Sequence, residues 1–362
     1  MNGRPAIATV RASRFWARPG TADYWAALQP LPRDGIQRIL LCRPNHRLGN
    51  LLFLTPLLTE IEACYPRATV DIVVAGGGMH ALFSGFGNVG TVFELPRNGF
   101  HAPRRFGRVL RSVWREHYDL VIDPELRSRS TRFVVNLCST TYRLGFIGAG
   151  NSARLTHGVP GSTCPRHMAK RAAYLLRSAV HGTNPEPDGC YPELDVRLSP
   201  EERVWGANAL AIVLQQDSSS PRQPIIAIFA DATGAKRYAV SWWREFTLRL
   251  RDLVPQSRFL EVLPPHAAPD STSEFPTYQS SNIRQVAAVI GSTSLFVSAD
   301  CGVMHLASAS GMPLVFGLFS VTDESLYRPF GVGRHAIPTH DRTPADVAQI
   351  VGETFLAATE CR

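Results

Sequence analysis

The feature that most constrains the fold is the stretch formed by residues 295–319, where two apolar runs flank a segment of small residues. Residues 295–297 and 314–319 are short and apolar, which is typical of buried strands. Residues 303–310 can form a helix, and Gly311 follows it as glycine commonly follows the last turn of a helix. The stretch therefore predicts a strand–turn–helix–strand unit.

Two polar residues, Asp300 and His305, lie at the turn of this unit. The free amides and the dipole at a helix N-terminus favour anionic groups such as phosphates, so both side chains could meet a bound ligand. The other interpretation is structural, because Asp300 could cap the helix while His305 packs inside. The residue types alone leave both interpretations open.

The same stretch resembles a family signature. Residues 300–315 read Asp-Cys-Gly-Val-Met-His-Leu-Ala-Ser-Ala-Ser-Gly-Met-Pro-Leu-Val, similar to the Asp-Thr-Gly-X-X-His-Leu-Ala-Ala-Ala-X-Gly-X-Pro-X-Val motif of glycosyltransferase family nine, the ADP-heptose:lipopolysaccharide heptosyltransferase-like enzymes. The main departure is Cys301, where Thr is usual. The resemblance implies that Asp300 and the amides of Cys301 and Gly302 meet the donor sugar and phosphate, with His305 lining the same pocket.

Length and composition agree with a globular protein of two domains. The chain has 362 residues, 44% hydrophobic and 19% charged, enough for two ordinary cores. No apolar run is long enough to span a bilayer. Arginines interrupt the N-terminal region, so no signal peptide is evident and we expect a cytoplasmic protein. Seven scattered cysteines without Cys-X-X-Cys spacing support neither a disulfide framework nor a zinc site.

The net charge of +8 comes almost entirely from arginine, since Lys170 and Lys236 are the only lysines. A basic surface suits a phosphate-rich substrate or peripheral contact with the cytoplasmic face of the inner membrane. Nucleic acid is not an expected partner, because no basic run with interleaved aromatic residues occurs.

Strands alternating with helices predict an α/β protein with parallel, doubly wound sheets. The family resemblance implies the GT-B architecture, two Rossmann-like domains facing a cleft. We expect an N-terminal extension (1–35), an acceptor domain (36–184), a linker with a connecting helix (185–224), a nucleotide-sugar domain (225–340) and a closing helix (341–362).

Two local features refine this expectation. Pro56 is unfavourable inside a helix, so the helix there must begin only a few residues before it or bend at it. Ser241 is the expected cap of a helix that begins at Trp242.

The loop 231–238 follows one strand and precedes a helix, which suits a pyrophosphate. It resembles the family segment Thr-X-X-X-X-Lys-X-Trp-Pro, whose Thr and Lys contact the donor diphosphate, and this implies donor-binding roles for Thr233 and Lys236. Tyr238 stands where Trp is usual. The other interpretation is a solvated surface loop. Glu261 is a candidate for the acidic residue that contacts the nucleoside in the family.

The loop 43–50 resembles the segment of the family that carries its proposed general base, an Asp. This chain has Asn50 there, and an amide has no accessible basic pKa. Three possibilities follow. A neighbour could act as the base, either His46, whose ordinary pKa is near 6.5, or the nearby Asp123 or Glu125. Asn50 could instead only orient the acceptor, or the protein could bind a sugar nucleotide without transferring it.

Nine arginines lie between residues 97 and 132. They form either a solvated helix face or a surface that holds the phosphates of an anionic glycolipid through guanidinium contacts. Arg47, Arg105 and Arg127 are the expected acceptor-binding residues.

The sequence favours an inverting glycosyltransferase that moves a sugar, with ADP-heptose as the expected donor, to a lipopolysaccharide-core or other surface-glycan acceptor. No Asp-X-Asp motif is present, so we expect neither metal nor other cofactor, and Lys236 with helix-end amides would neutralise the leaving diphosphate. The first loop lacks the Gly-X-Gly-X-X-Gly of dinucleotide oxidoreductases. The alternative is a catalytically impaired relative that binds sugar nucleotide or glycolipid.

Overall fold

A computed structural model describes residues 29–97, 101–148, 155–215, 223–267 and 274–360. The strands within these ranges are β1 (Arg38–Cys42), β2 (Thr69–Ala75), β3 (Val89–Leu95), β4 (His117–Asp123), β5 (Ser139–Ile147), β6 (His157–Pro160), β7 (Ile225–Phe229), β8 (Arg258–Leu263), β9 (Thr277–Gln279), β10 (Leu295–Ala299), β11 (Val315–Phe319) and β12 (Arg334–Pro338). The α-helices are α1 (Leu48–Leu52), α2 (Thr55–Cys64), α3 (His80–Phe83), α4 (Pro103–Arg115), α5 (Arg129–Leu137), α6 (Met168–His181), α7 (Pro200–Val213), α8 (Val240–Leu253), α9 (Ile283–Gly291), α10 (Gly302–Ala309), α11 (Glu324–Tyr327) and α12 (Pro344–Glu360).

The strands form two parallel six-stranded sheets with the same topology. The first sheet has the order β3-β2-β1-β4-β5-β6 and the second β12-β11-β10-β7-β8-β9, so the second repeats the first when read from its own first strand, β7. The predicted GT-B class with two Rossmann-like domains is confirmed. In each sheet the chain reverses its direction of winding beside the first strand, between β1 and β4 and between β7 and β10. We call this position the switch of the sheet. Ligands of such sheets bind at the carboxyl ends of these strands.

Helices cover both faces of each sheet. One apolar cluster runs through both domains and includes residues of α2, α6, α9 and α10. A separate cluster joins α8 and α12 to the outer face of the second sheet. A third joins α4 and α5 to the outer face of the first sheet. The inner faces of the two domains thus share one core, whereas α4 and α5 form an outer layer.

Local sequence signals explain where several helices begin. The helical segment around Pro56 is divided, and Pro56 lies in the first turn of α2, where its missing amide hydrogen costs nothing. The helix thus begins just before Pro56, as one of the two expectations had it. The predicted cap Ser241 is wrong: Ala239 is the N-cap of α8 and no side chain caps it, because Ser241 already lies inside the first turn.

The linker between the domains is fixed to both of them. The Arg197 guanidinium forms a bidentate ion pair with the Glu62 carboxylate of α2, with 2.7 Å from Nη1 to Oε1 and 2.5 Å from Nη2 to Oε2. From α9, Arg284 donates hydrogen bonds to the carbonyl oxygens of Val196 and Arg197, both at 3.0 Å. It also pairs with Glu202 of α7 at 2.5 Å. These contacts set the relative position of the two sheets.

Most of the expected N-terminal extension, residues 1–28, lies outside the described residues. Leu31 is 1% exposed, and its amide donates a hydrogen bond to the Ala179 carbonyl of α6 at 2.8 Å. This part of the chain is therefore packed on the N-terminal domain. Among the described helices, none is both long and apolar enough to cross a membrane.

Candidate functional site

The two domains meet where α1 faces α10, and two glycines make the approach possible. A Cβ atom on Gly49 of α1 would lie 2.7 Å from Cδ2 of His305, and one on Gly302 of α10 would lie 2.9 Å from Cβ of Leu48. Both distances are too short for real side chains, so the helices meet backbone to backbone. This contact places the loop after β1 opposite the loop after β10, at the carboxyl ends of both sheets.

His305 is packed inside this contact. It is 3% exposed, and its ring stands edge-on to Phe53 with 4.6 Å between ring centroids. Burial lowers the pKa of His305 to about 3, so the imidazole is neutral at physiological pH. Its Nδ1 has no hydrogen-bond partner among the described residues. The ring is therefore a packing element at the interface between the domains.

Asp300 does not cap α10, so this part of the structural interpretation is wrong. Its carboxylate accepts a hydrogen bond from Nζ of Lys236 at 2.5 Å, and the N-cap position belongs to Cys301, whose side chain makes no capping bond. The first amides of α10 are therefore left without a side-chain cap. Asp300 is nearly buried, with a side chain 6% exposed, whereas Lys236 is 34% exposed.

The Lys236–Asp300 ion pair joins the two loops that flank the switch in the second sheet. Lys236 lies after β7 in a short 3₁₀ turn, Gly234–Lys236. Its Nζ is also 5.9 Å from the ring centroid of Tyr327, a residue that the sequence reasoning missed. The exposed Thr233 precedes this turn, and its side chain takes no part in the pair. The loop therefore presents two cations at the edge of the sheet: Lys236 and the exposed Arg237, which pairs with Asp231 of the same loop at 2.7 Å.

Cys301 offers no nucleophile. Burial raises the pKa of its thiol to about 11, and the sulfur lies 3.9 Å from Oγ of Ser298. A thiol with such a pKa stays protonated at neutral pH and is inert.

A pocket of about 960 Å³ lies beside the same loop. It is lined by residues that follow β7, by α8 and by β8 and the residues after it, including Tyr238, Trp243, Glu261 and Phe275. A concave site with aromatic walls and a few polar groups is typical of small-molecule binding. Glu261, the candidate nucleoside contact, is thus in a position to line a ligand site.

In the N-terminal domain, two ion pairs occupy the equivalent switch. Nε of the buried Arg43, after β1, lies 2.7 Å from Oε1 of Glu125, after β4. Asp123 is fully buried beside Arg132, with 2.9 Å between Oδ2 and Nε, and burial raises its pKa to about 7. The sequence placed Arg43 in the loop 43–50 and Arg132 at the end of the arginine stripe but did not predict either ion pair. The one signal was that Arg43 and Asp123 each directly follow an apolar run.

The predicted acceptor-side residues divide into two places. His46 and Arg47 are exposed in the loop after β1, Arg127 is exposed in the loop after β4, and Asn50 is half-buried in α1. These four lie on the two loops and the helix of the first switch. The Asn50 amide makes no hydrogen bond with the residues that the structure describes. Arg105 is exposed on α4, in the outer layer, and no described ion pair or hydrogen bond joins it to the other four.

Comparison with known proteins agrees with this geometry. Residues 280–348 match the family model described as glycosyltransferase family 9 (heptosyltransferase). The structure of a glycosyl transferase of family 9 from Veillonella parvula superposes with a TM-score of 0.72 at 15% identity, covering 89% of this chain and 97% of that one. The Escherichia coli heptosyltransferase WaaC, solved with ADP, gives a TM-score of 0.65 at 18% identity over 90% of this chain and 99% of its own. The E. coli ADP-heptose LPS heptosyltransferase II gives 0.64 at 19% identity, over 89% and 100%. No curated protein sequence matches significantly.

The fold is that of the GT-B type, with two Rossmann-like domains that face each other. The match to glycosyltransferase family nine covers residues 280–348, and over this segment it confirms the resemblance first noted in the sequence. The matched segment contains α10, β11 and the residues of the Asp300 turn. Among the described residues, no cluster of three or more His, Cys, Asp or Glu side chains could hold a metal ion, and metal independence stays a prediction.

We predict that Gly49→Ala lowers the free energy of unfolding by about 1–3 kcal/mol, because the added methyl group overpacks the contact with His305. Gly107→Ala is the matched control. It changes the same residue type in α4, but a Cβ there meets no atom within 4 Å, so it should raise stability by up to about 1 kcal/mol. Urea unfolding measures both. A Gly49→Ala protein at least as stable as the wild type would show that the helices do not meet as described.

Proposed function

We propose that the chain is an inverting, metal-independent transferase that moves a sugar from a nucleotide-sugar donor, with ADP-heptose as the expected donor, to an anionic glycolipid or oligosaccharide acceptor such as a lipopolysaccharide core. The observation that carries this proposal is the Lys236–Asp300 pair, which lies at the switch of the second sheet, beside the N-terminus of α10 and opposite the loops of the first sheet.

The donor side is supported by charge and geometry. A sugar nucleotide leaves as a nucleoside diphosphate, and the negative charge that develops on it must be stabilised. Lys236 is partly exposed, and the first amides of α10 lack a side-chain cap. A cation and free helix-end amides are suitable partners for a diphosphate. Asp300 would hold the lysine in place beside the ligand.

The nucleoside would occupy the pocket beside Tyr238 and Glu261. That pocket shares the loop after β7 with Lys236, so a nucleoside bound in it would direct its phosphates toward the lysine. A carboxylate such as that of Glu261 suits the hydroxyl groups of a ribose. Two of the structurally similar E. coli structures contain ADP or ADP-2-deoxy-2-fluoro heptose, which supports adenine as the nucleobase of the donor.

The acceptor side requires a group that removes a proton from the attacking hydroxyl. Asn50 cannot do so, but its amide can hold that hydroxyl in position. Asp123 is fully buried and cannot reach an acceptor. The candidates for the base on this edge are then His46, which is exposed, and Glu125, which Arg43 holds at 2.7 Å. Arg47 and Arg127 would bind the anionic groups of the acceptor.

Asn50 also favours a second function, in which the protein binds a sugar nucleotide or glycolipid without transfer. The donor half of the cleft would then act unchanged, and only the step that depends on a base would be missing. The two functions therefore predict the same donor affinity but different turnover.

We predict that Lys236→Ala weakens the binding of ADP and ADP-heptose by about 10–100-fold, since it removes a charge-assisted hydrogen bond. Lys170→Ala is the matched control, because Lys170 is the other lysine of the chain and lies on α6, where it pairs with Asp188 at 3.5 Å. Isothermal titration calorimetry measures both, with UDP and GDP sugars for comparison. An unchanged affinity in Lys236→Ala would remove the phosphate site from this loop.

We predict that Asn50→Asp keeps or raises the rate of sugar transfer, because it adds a carboxylate where the related enzymes have one. Asn45→Asp places the same charge in the preceding loop, where the side chain already accepts a hydrogen bond from the Arg47 amide at 2.8 Å. This control should not raise the rate of transfer. The release of ADP from ADP-heptose in the presence of lipopolysaccharide core measures the rate. Donor binding without ADP release in the wild type and in Asn50→Asp would favour the non-transferring function.

A further inference from the structure

Helix α4 carries a stripe of arginines on the face opposite its buried residues. Four of them, Arg104, Arg108, Arg111 and Arg115, are spaced by four, three and four positions, which brings them onto one side of a helix. All four are exposed. At about 1.5 Å of rise per residue the row is about 16 Å long. The opposite side, with Leu110 and Val113, is buried against the first sheet.

None of these four guanidinium groups forms an ion pair or a side-chain hydrogen bond with the residues that the structure describes. Neither α4 nor α5 contains an Asp or a Glu. The acidic residues nearest to the stripe in the sequence have other partners. Glu116 pairs with Arg38 at 2.8 Å. The Asp119 carboxylate accepts hydrogen bonds from the backbone amides of Gln37 and Arg38, both at 2.8 Å. The positive charge of the stripe is therefore not neutralised within the described fold.

Large apolar side chains border the stripe. Phe133 and Leu137 of α5 are 55% and 49% exposed. Phe133 contacts Trp114 of α4 edge-on, with 6.4 Å between ring centroids. The aromatic contact joins the two helices at the residue that precedes Arg115, the last arginine of the stripe. We name the four arginines of α4 together with Phe133 and Leu137 of α5 the α4–α5 face.

We propose that the α4–α5 face docks the protein on the surface of an anionic phospholipid bilayer. Guanidinium groups in a row can each meet a lipid phosphate, while an exposed Phe and Leu can enter the boundary between headgroups and acyl chains, as in interfacial helices. Charge complementarity favours this occupant, because an anionic bilayer presents a layer of phosphates for the arginines directly beside an apolar layer for Phe133 and Leu137. The face belongs to the outer layer of the N-terminal domain, so docking leaves the cleft between the domains open.

The position of α4 would place a docked bilayer beside the acceptor half of the cleft. The helix begins after β3, at the carboxyl edge of the first sheet, which is also the edge that carries the loops after β1 and β4. A bilayer against the α4–α5 face would therefore lie beside the acceptor half of the cleft. An acceptor anchored in that bilayer would need to rise only to the edge of the sheet.

The test compares two variants with the same net charge. The stripe variant is R104Q/R108Q/R111Q/R115Q; Arg105 is kept because it is among the predicted acceptor-binding residues. The control is R67Q/R249Q/R251Q/R342Q, which changes four exposed arginines elsewhere in the fold. Each variant lowers the net charge from +8 by four. Donor affinity and thermal unfolding of both should equal those of the wild type, which shows that the fold is kept.

Co-sedimentation with vesicles of phosphatidylcholine and phosphatidylglycerol at physiological salt measures docking. We expect the wild type to bind these vesicles and not vesicles of phosphatidylcholine alone. The stripe variant should bind at least about 100-fold more weakly, since four arginines that each contribute roughly fivefold near a charged surface together account for several hundredfold. The control should lose less than about tenfold, because screening weakens charges distant from the surface. The double variant F133A/L137A should lose at least about tenfold through its apolar contacts.

Three results would overturn the proposal. The first is a wild-type protein that does not bind the anionic vesicles. The second is an equal loss in the stripe and control variants, which would indicate that only net charge matters. The third is binding of a soluble RNA as tight as that of the vesicles and lost in the stripe variant, which would make the face a general polyanion site.

Discussion

The functional arrangement depends on the close approach of α1 and α10. Gly49 and Gly302 let two short helices from different domains meet at backbone distance, and the buried ring of His305 fills the space beside them. Because each helix follows the switch strand of its own sheet, this one contact brings the two switches face to face. A side chain at either glycine would separate the loops that the proposed function places on the same two substrates.

In each domain an ion pair also joins the two loops at the switch, and its two partners follow equivalent strands. A cation follows the first strand of the sheet and a carboxylate follows the fourth: Arg43 with Glu125 in one half, Lys236 with Asp300 in the other. The two pairs differ in exposure. The Arg43 side chain is 4% exposed and holds its loop, and burial lowers its pKa. The Lys236 side chain is 34% exposed, so its ammonium group has a solvent-facing side that a ligand phosphate could meet while the pair with the nearly buried Asp300 is kept.

The sequence was informative wherever a local pattern determines the structure. Alternating strands and helices predicted the doubly wound sheets, and Pro56 marked the start of α2, because both depend on a few neighbouring residues. Ser241 was a wrong cap, since a serine one residue inside the first turn has the same local pattern as a true N-cap. Edge strands of three or four residues, such as β6 and β9, have too few side chains to show a period.

The site was predictable only in part. The motif placed Asp300 and Lys236 in separate loops, but their pairing joins residues that are 64 positions apart, and no local pattern encodes such a contact. The same holds for Arg43 with Glu125. The burial of His305 depends on a glycine in the other domain. The sequence therefore indicated which residue types the cleft would contain, while the packing of the two domains decides which of them remain free to meet a ligand.

The most direct test of this account is a crystal structure of the protein with ADP. We predict that the diphosphate lies within hydrogen-bond distance of Nζ of Lys236, at the first amides of α10, with the nucleoside in the pocket beside Glu261. Ordered ADP bound elsewhere, with Lys236 still paired to Asp300 and no phosphate at α10, would contradict it.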